Sequence, residues 1–363
     1  MGGLNPRRSS IWLAVLAAIA LVAAAPLYEP VRAPHIGLAG HQLDLVKQAP
    51  GDPADPLGTQ TQAGVVQINT TIDYQNATGT GTGIVLSPGG EVLTNNHVVS
   101  GANSINATNV GTGRAFPVDV LGYDRKHDVA LVQLVGANGL PTAAIGDSNQ
   151  LAVGQPVVAI GNAGGTGSPL SHESGKVTAL NQTVVASDDL TGNQERLTGL
   201  IEAALDMRPG DSGGPLVNSA GQVVGLNTAA ALNYELGTPA GHGYAIPINE
   251  ALGIAAQIRA GAASSSVHIG DSALLGVAIR SNRRPSGSGV AVQGVMRGGP
   301  AEAAGVRPGD VLTAVDGTAL DSANTLTAIL DQHHPGDTVT VTWTDGSGAP
   351  HSAPIPLGKG PAG

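Results

Sequence analysis

The sequence predicts two folded domains behind an export segment: an all-β barrel or sandwich, then an α+β domain. Three observations point that way. At 363 residues the chain is long for one core, since domains run to about 100–200 residues. It holds 53 Gly and 24 Pro but one Phe, two Trp and five Tyr, a balance that suits many tight turns, because glycine enters positive φ at no steric cost. Short Val-rich or alternating runs fill residues 62–258, whereas helical spacing is confined to 248–260 and the last region. Aliphatic side chains must therefore supply the core.

Composition also excludes several chemistries. A net charge of −10 gives no basic face for nucleic acid. The chain has no cysteine, so disulfides, thiolate zinc sites and a cysteine nucleophile are all ruled out. The sequence implies no cofactor and no obligatory metal.

The N-terminus sets the compartment. Arg7 and Arg8 precede an uncharged apolar run over 11–25 that ends in Ala23-Ala24-Ala25 and Pro26, the charged, apolar and small-residue layout of a secretory signal. The run is shorter than the roughly 20 residues that span a bilayer core, but Leu27 and Tyr28 extend it. Residues 1–33 thus read as a signal peptide or a membrane anchor. In both cases the arginines stay inside and the remainder is extracytoplasmic, secreted or held at the cell membrane through this segment alone.

Residues 34–61 are rich in Pro, Ala, Gly and Asp and read as a linker. Runs at 65–71, 83–87, 118–123, 129–134, 157–160 and 223–227 are strand length and bounded by turn residues. A helix over 248–260 starts after Pro247 and places Ile248, Leu252, Ala255 and Ile258 on one face. The first domain spans 62–260, a small-residue linker 261–270, and the second domain 271–358, with helices at 300–304 and 322–331.

The chemistry concentrates in the first domain. Gly210-Asp211-Ser212-Gly213-Gly214-Pro215 sets a hydroxyl on a tight turn and directs the amides of Gly210 and Ser212 to one point, where an oxyanion can be held. Asp211 can anchor that turn through its carboxylate. A serine hydroxyl needs a base within reach and a carboxylate to orient the base. His97 follows a strand at 92–94, and Asp128 heads the strand at 129–134. The order His, Asp, Ser is that of chymotrypsin-type enzymes and not of subtilisins or α/β-hydrolases.

With these residues go further segments: Gly79-Thr80-Gly81-Thr82-Gly83, Val158-Ala159-Ile160-Gly161-Asn162 and residues 221–228. Together they resemble the HtrA (high-temperature requirement) family of trypsin-fold serine proteases, its small secreted or anchored actinobacterial members most closely. The resemblance implies two six-stranded β-barrels, over 62–150 and 151–247, with the site in the cleft between them. It makes Ser212 the nucleophile, His97 the base, Asp128 its orienting carboxylate, and Gly210 and Ser212 the oxyanion donors of an endopeptidase acting on exposed or unfolded exported proteins. Where relatives usually read Asp-Ala-Ala-Ile before the Pro-Gly pair, this chain has Ala204-Leu205-Asp206-Met207-Arg208. Asp206 thus either sits at the base of the substrate pocket and selects Arg or Lys, or points elsewhere or pairs with Arg208; the default is the family's small or medium aliphatic preference. Asn227, Thr228 and Ala229 are expected along one wall.

Residues 298–312 and Leu274-Leu275-Gly276-Val277 resemble an HtrA-type PDZ domain. In that reading, amides after Leu274 capture a peptide C-terminus as an added strand, and Leu326 or Ile329 lines the side-chain pocket. The partners are therefore protein or peptide substrates, with free C-termini as one class. Relatives trimerise through N-terminal aromatics, and this linker offers Tyr28 alone, so a monomer is expected. The alternative function is a non-hydrolytic module that holds unfolded chains.

Other residues have plainer readings. His127 is expected to be solvated, and His333-His334 to be without a metal. The Gly79–Gly83 stretch is expected as a close backbone turn, since it lacks the lysine and helix of a phosphate loop. Asp124 is the rival of Asp128.

Overall fold

The computed structural model describes residues 62–73, 77–165, 169–188, 193–228, 234–236, 241–279 and 289–363. The export segment and the linker after it lie outside the described residues.

Barrel one is built from β1 (Val65–Ile72), β2 (Ala77–Val85), β3 (Glu91–Thr94), β4 (Ser104–Asn109), β5 (Ala115–Asp124) and β6 (Val129–Leu134). Their order β5-β4-β1-β2-β3-β6, closed by β5 pairing with β6, leaves no free sheet edge. Barrel two repeats the design with β7 (Pro156–Gly161), β8 (Ser171–Asp188), β9 (Asn193–Ala203), β10 (Pro215–Asn218), β11 (Val223–Thr228) and β13 (Gly243–Pro247), while β12 (Tyr234–Leu236) is appended to β8. The order β8-β7-β10-β11-β13-β9 closes where β8 meets β9. The predicted pair of six-stranded barrels is therefore present.

Aliphatic residues fill the interiors as the composition requires. Ile84, Leu93, Leu131, Ile160, Val223 and Leu226 share one fully buried cluster, and each such side chain contributes about 1.5–3 kcal/mol by leaving water. The glycine-rich stretch expected as a turn is instead the middle of β2. Its glycines permit close packing: a Cβ on Gly81 would lie 2.5 Å from Val98, and one on Gly83 2.5 Å from Val92. After β13, Pro247 precedes the helix Ile248–Arg259, which buries Ile248, Ala251, Ile254, Ala255 and Ile258.

The stretch 261–270 is more than a linker. Within it β14 (Val267–Ile269) pairs antiparallel with β5 as a seventh strand, Val267 opposite Asp124 and Ile269 opposite Gly122. The second domain follows: β15 (Ala273–Leu274), β16 (Val277–Ile279), β17 (Val290–Val295), β18 (Val311–Val315), β19 (Thr318–Ala319), β20 (Thr338–Thr344), β21 (Pro350–Pro356) and β22 (Gly358–Lys359). Helices Pro300–Ala303 and Ala323–Leu330 lie where the sequence places them. Ser322 caps the second by accepting from the Thr325 amide at 3.2 Å. Leu312, Val315, Val339, Val341, Ile355 and Trp343 form this domain's own core.

The two domains are docked. Asp331, at the end of the Ala323–Leu330 helix, accepts from Arg125 Nε at 3.0 Å and Nη2 at 3.1 Å and from the Tyr123 hydroxyl at 2.8 Å. His268 stacks between Tyr123 and His334, with ring centroids 4.9 Å apart on both sides. Of the His333-His334 pair, His334 serves this contact, its Nε2 also meeting the Ile269 carbonyl at 3.0 Å, whereas His333 faces Asp316 and Asp337 of its own domain at 3.6 and 3.7 Å. Burial holds the Tyr123 hydroxyl well above the usual phenol range, so it stays a donor.

Candidate active site

Each residue of the predicted constellation is held by its local fold. Asn96–Val99 forms a single helical turn directly after β3, anchored by buried Val98 and Val99. That turn presents His97. Asp128 closes the turn before β6 at φ 55°, a left-handed conformation that aspartate tolerates better than most residues. Asn95 Nδ2 donates to the Asp128 carbonyl at 2.9 Å and pins that backbone. Asp128 is 1% exposed, and its carboxylate is engaged at both oxygens. Oδ1 accepts from the His97 amide at 3.0 Å, and Oδ2 lies 2.8 Å from His97 Nδ1. A carboxylate so placed fixes the Nδ1–H tautomer and leaves Nε2 as the basic nitrogen.

Asp124, the rival, faces another histidine. Its Oδ2 lies 2.7 Å from His127 Nδ1, its Oδ1 accepts from the His127 amide at 3.0 Å, and Ser266 Oγ donates to Oδ2 at 2.9 Å. His127 is therefore not simply solvated. The hydrogen bond to Asp124 raises its pKa above the usual histidine range against the opposing effect of burial, with Glu250 adding to the rise and Lys126 opposing it. A raised folded-state pKa contributes stability that is complete below the ordinary value of about 6.5 and is lost as pH rises through the raised one. His127→Gln is accordingly expected to lower Tm more at pH 5.5 than at pH 8.5. Equal losses at both values, measured by thermal melts, would contradict the pairing.

Ser212 is 1% exposed and lies in the turn before β10. Asp211 anchors that turn as expected: Oδ2 accepts from the Arg208 amide at 2.9 Å, and Oδ1 from Ser171 Oγ at 2.5 Å. Burial raises its pKa, opposed by these bonds. Gly210 sits at φ 100°, where a Cβ would come 2.1 Å from the Asn162 carbonyl oxygen; only glycine fits. The Pro209 carbonyl accepts from the Gly164 amide at 2.8 Å. A trans peptide points its N–H opposite its C=O, so the Gly210 N–H is turned away from Gly164.

The specificity residues divide. Asp206 is exposed, and Arg208 pairs with Glu173. On either side of Asp206, Leu205 and Met207 pack toward Gly243, where a Cβ would lie 2.5 Å from Leu205 and 2.9 Å from Met207. Asn227 and Thr228, expected along one wall, both have buried side chains. Asn227 is fully buried, and its Nδ2 donates to the Pro215 and Ile160 carbonyls at 3.1 and 3.3 Å, clipping neighbouring strands together. Thr228 Oγ1 donates to Asp128 Oδ2 at 3.2 Å. It therefore reaches from barrel two to the back of the carboxylate. Ala229 lies outside the described residues.

Both domains of the chain are similar to those of known proteins. Residues 81–226 match the trypsin-like peptidase domain, and residues 273–347 match the PDZ domain. The chain is 35% identical to serine protease PepD of Mycobacterium tuberculosis over 91% of its own length and 71% of that protein's. It is 30% identical to the serine protease Do-like HtrA of Lactococcus lactis subsp. lactis, over 77% of this chain and 70% of the relative. The chain belongs to the HtrA family of serine proteases. It is a serine-type endopeptidase. It is also 34% identical to a probable periplasmic serine endoprotease, DegP-like, of Halomonas elongata, over 71% of this chain, but it spans only 52% of that protein's length.

The PDZ domain of this HtrA-family protease presents the edge expected of a peptide reader. β16 pairs with β17 on one side and ends the sheet order. Leu274 ends β15, paired with β22. Leu275 is 1% exposed and packs in the core. Gly276 turns the chain at φ 80°, and Val277 opens β16. Of the two pocket candidates, Leu326 belongs to the core at 3% exposed, whereas Ile329 is only partly buried. Sequence reasoning missed Thr228 as a partner of Asp128. Its place at the end of β11 was visible, but its partner lies 100 residues away.

Proposed function

We propose that Ser212 attacks the scissile carbonyl of exposed or unfolded exported proteins, with His97 as general base and then general acid. Asp128 orients His97, and the Gly210 and Ser212 amides receive the oxyanion. The observation that carries this reading is the two-point hold of Asp128 on His97, through Oδ1 to the amide and Oδ2 to Nδ1. That contact gives the imidazole one orientation and one tautomer. The PDZ domain would capture substrate C-termini along the β16 edge. Arg7, Arg8 and the apolar run behind them support work outside the cytoplasm, in keeping with the name of the Halomonas relative. Among the described residues no helix is long and apolar enough to cross a membrane; the N-terminal segment lies outside them. We read the enzyme as a monomer engaged in protein quality control.

The test is digestion of casein by the full chain, with a fluorophosphonate probe in parallel. The probe should label Ser212 and abolish cleavage, and the new C-termini should be small or medium aliphatic residues. Label on another residue, or cleavage surviving complete labelling, would displace Ser212 from the role. Cleavage mainly after Arg or Lys would instead assign Asp206 to the substrate pocket.

A further inference from the structure

A close contact between the barrels lies beneath the proposed oxyanion turn, and one residue of barrel one makes it. Thr82, in β2, is fully buried. Its Oγ1 donates to the Gly210 carbonyl at 2.7 Å and accepts from the Asn162 amide at 3.0 Å. The Asn162 amide reaches the same Gly210 carbonyl at 3.3 Å, so hydroxyl, amide and carbonyl close a triangle. The Thr82 backbone is used as well. Its amide donates to the Ser212 carbonyl at 2.8 Å, and its carbonyl accepts from Thr94 Oγ1 at 2.7 Å, three residues before His97. A Cβ on Gly213 would lie 2.1 Å from the Thr82 carbonyl oxygen, so that glycine is required by the approach of Thr82 itself.

We infer that Thr82 is a positioning residue for the oxyanion site. The amides of Gly210 and Ser212 converge only if the peptides around Gly210 hold their orientation. The Pro209 carbonyl is fixed by Gly164, and the next carbonyl, that of Gly210, is fixed by the Thr82 hydroxyl. Gly210 itself offers no resistance to rotation between these two planes, because a glycine moves freely through positive φ. The hydroxyl supplies from outside the restraint that the residue lacks. Without it the Gly210 carbonyl keeps only the longer Asn162 bond, and the Gly210–Asp211 peptide, which links the two donor amides, loses its shorter restraint, so their convergence on the oxyanion point is held less firmly. A donor held in advance stabilises the transition state without reorganising when the reaction occurs.

The inference rests on the reading of Ser212 as nucleophile, and its test separates the two. Removing an oxyanion donor outright costs about 10²–10³ in kcat; loosening one from behind is expected to cost about 10–100-fold. Thr82→Val, nearly isosteric, should therefore lower kcat by that factor with KM within about twofold of wild type. It should weaken a peptidyl aldehyde, which binds as a tetrahedral oxyanion adduct, by the same factor as kcat/KM. Thr82→Ser keeps the hydroxyl and should restore both. If Thr82→Val does not fold, Thr82→Ala removes the same hydroxyl without adding volume and is read in the same way. Unchanged kcat in the hydroxyl-free variants would overturn the inference. So would a loss of kcat with unaltered aldehyde affinity, or a loss shared by Thr82→Ser. If the wild type itself shows no Ser212-dependent cleavage, the parent reading fails.

Discussion

Ser212→Ala is expected to lower kcat by about 10⁶-fold with the fold intact. The substitution removes one hydroxyl and leaves the restraints of the turn in place. Gly213 still donates to the Asn227 carbonyl at 2.9 Å, Gly214 to the Asp211 carbonyl at 3.0 Å, and Thr82 to the residue 212 carbonyl at 2.8 Å. What survives should be the catalysis given by the oxyanion donors and by binding, which exceeds the rate in water by about 10³–10⁴. Steady-state turnover of a casein-derived peptide, with a thermal melt on the same sample, measures both. A variant that keeps a tenth of wild-type kcat would mean that another residue is the nucleophile.

Asp128→Asn should cost about 10⁴-fold in kcat and little stability. The backbone tolerates it, because asparagine also accepts the φ of 55° found there. The chemistry does not. The carboxylate has three donors facing it: the His97 amide, His97 Nδ1–H and the Thr228 hydroxyl. An amide has one acceptor oxygen and one donor nitrogen. If the oxygen stays on the His97 main chain, the NH₂ group faces Nδ1 and draws its lone pair. The ring proton is then forced onto Nε2, which can no longer take a proton from Ser212. Turnover within tenfold of wild type, with Tm unchanged, would show that Asp128 does not set the tautomer.

The fold was legible because its signals are local. Strand-length Val-rich runs bounded by glycine and asparagine predict β elements, and Pro247 before Ile248 predicts a helix start; both stand where expected. The triad candidates were legible from motifs in which each residue type has one chemical job. Contacts across the seam between the barrels were not legible. Nothing near Thr82 in the sequence indicates a bond to Gly210, 128 residues away. The pattern Gly-Thr-Gly-Thr-Gly suggested a turn because glycine is usually conformational punctuation. Here the glycines clear space for Val98 and Val92, and the strand continues through them. His127 illustrates the same limit, since its partner Asp124 looked like an alternative third member of the site and is instead the residue that holds His127. The short strand β14 escaped notice because three residues carry too little pattern, and pairing with β5 alone defines it.

That strand has a mechanical consequence. Only residues 270–272 separate β14 from β15, a leash of roughly 10 Å at full extension. Across the contact, Ala362 exchanges backbone hydrogen bonds with barrel one, accepting from Gly101 at 2.7 Å and donating to Ala102 at 2.9 Å. The PDZ domain is thus hinged on one side and latched on the other, with Asp331 between them gripping Arg125, three residues before Asp128. Rotating it away means unlatching residue 362 and releasing the very turn that carries the carboxylate. Stretching it farther means unzipping a strand from the barrel wall.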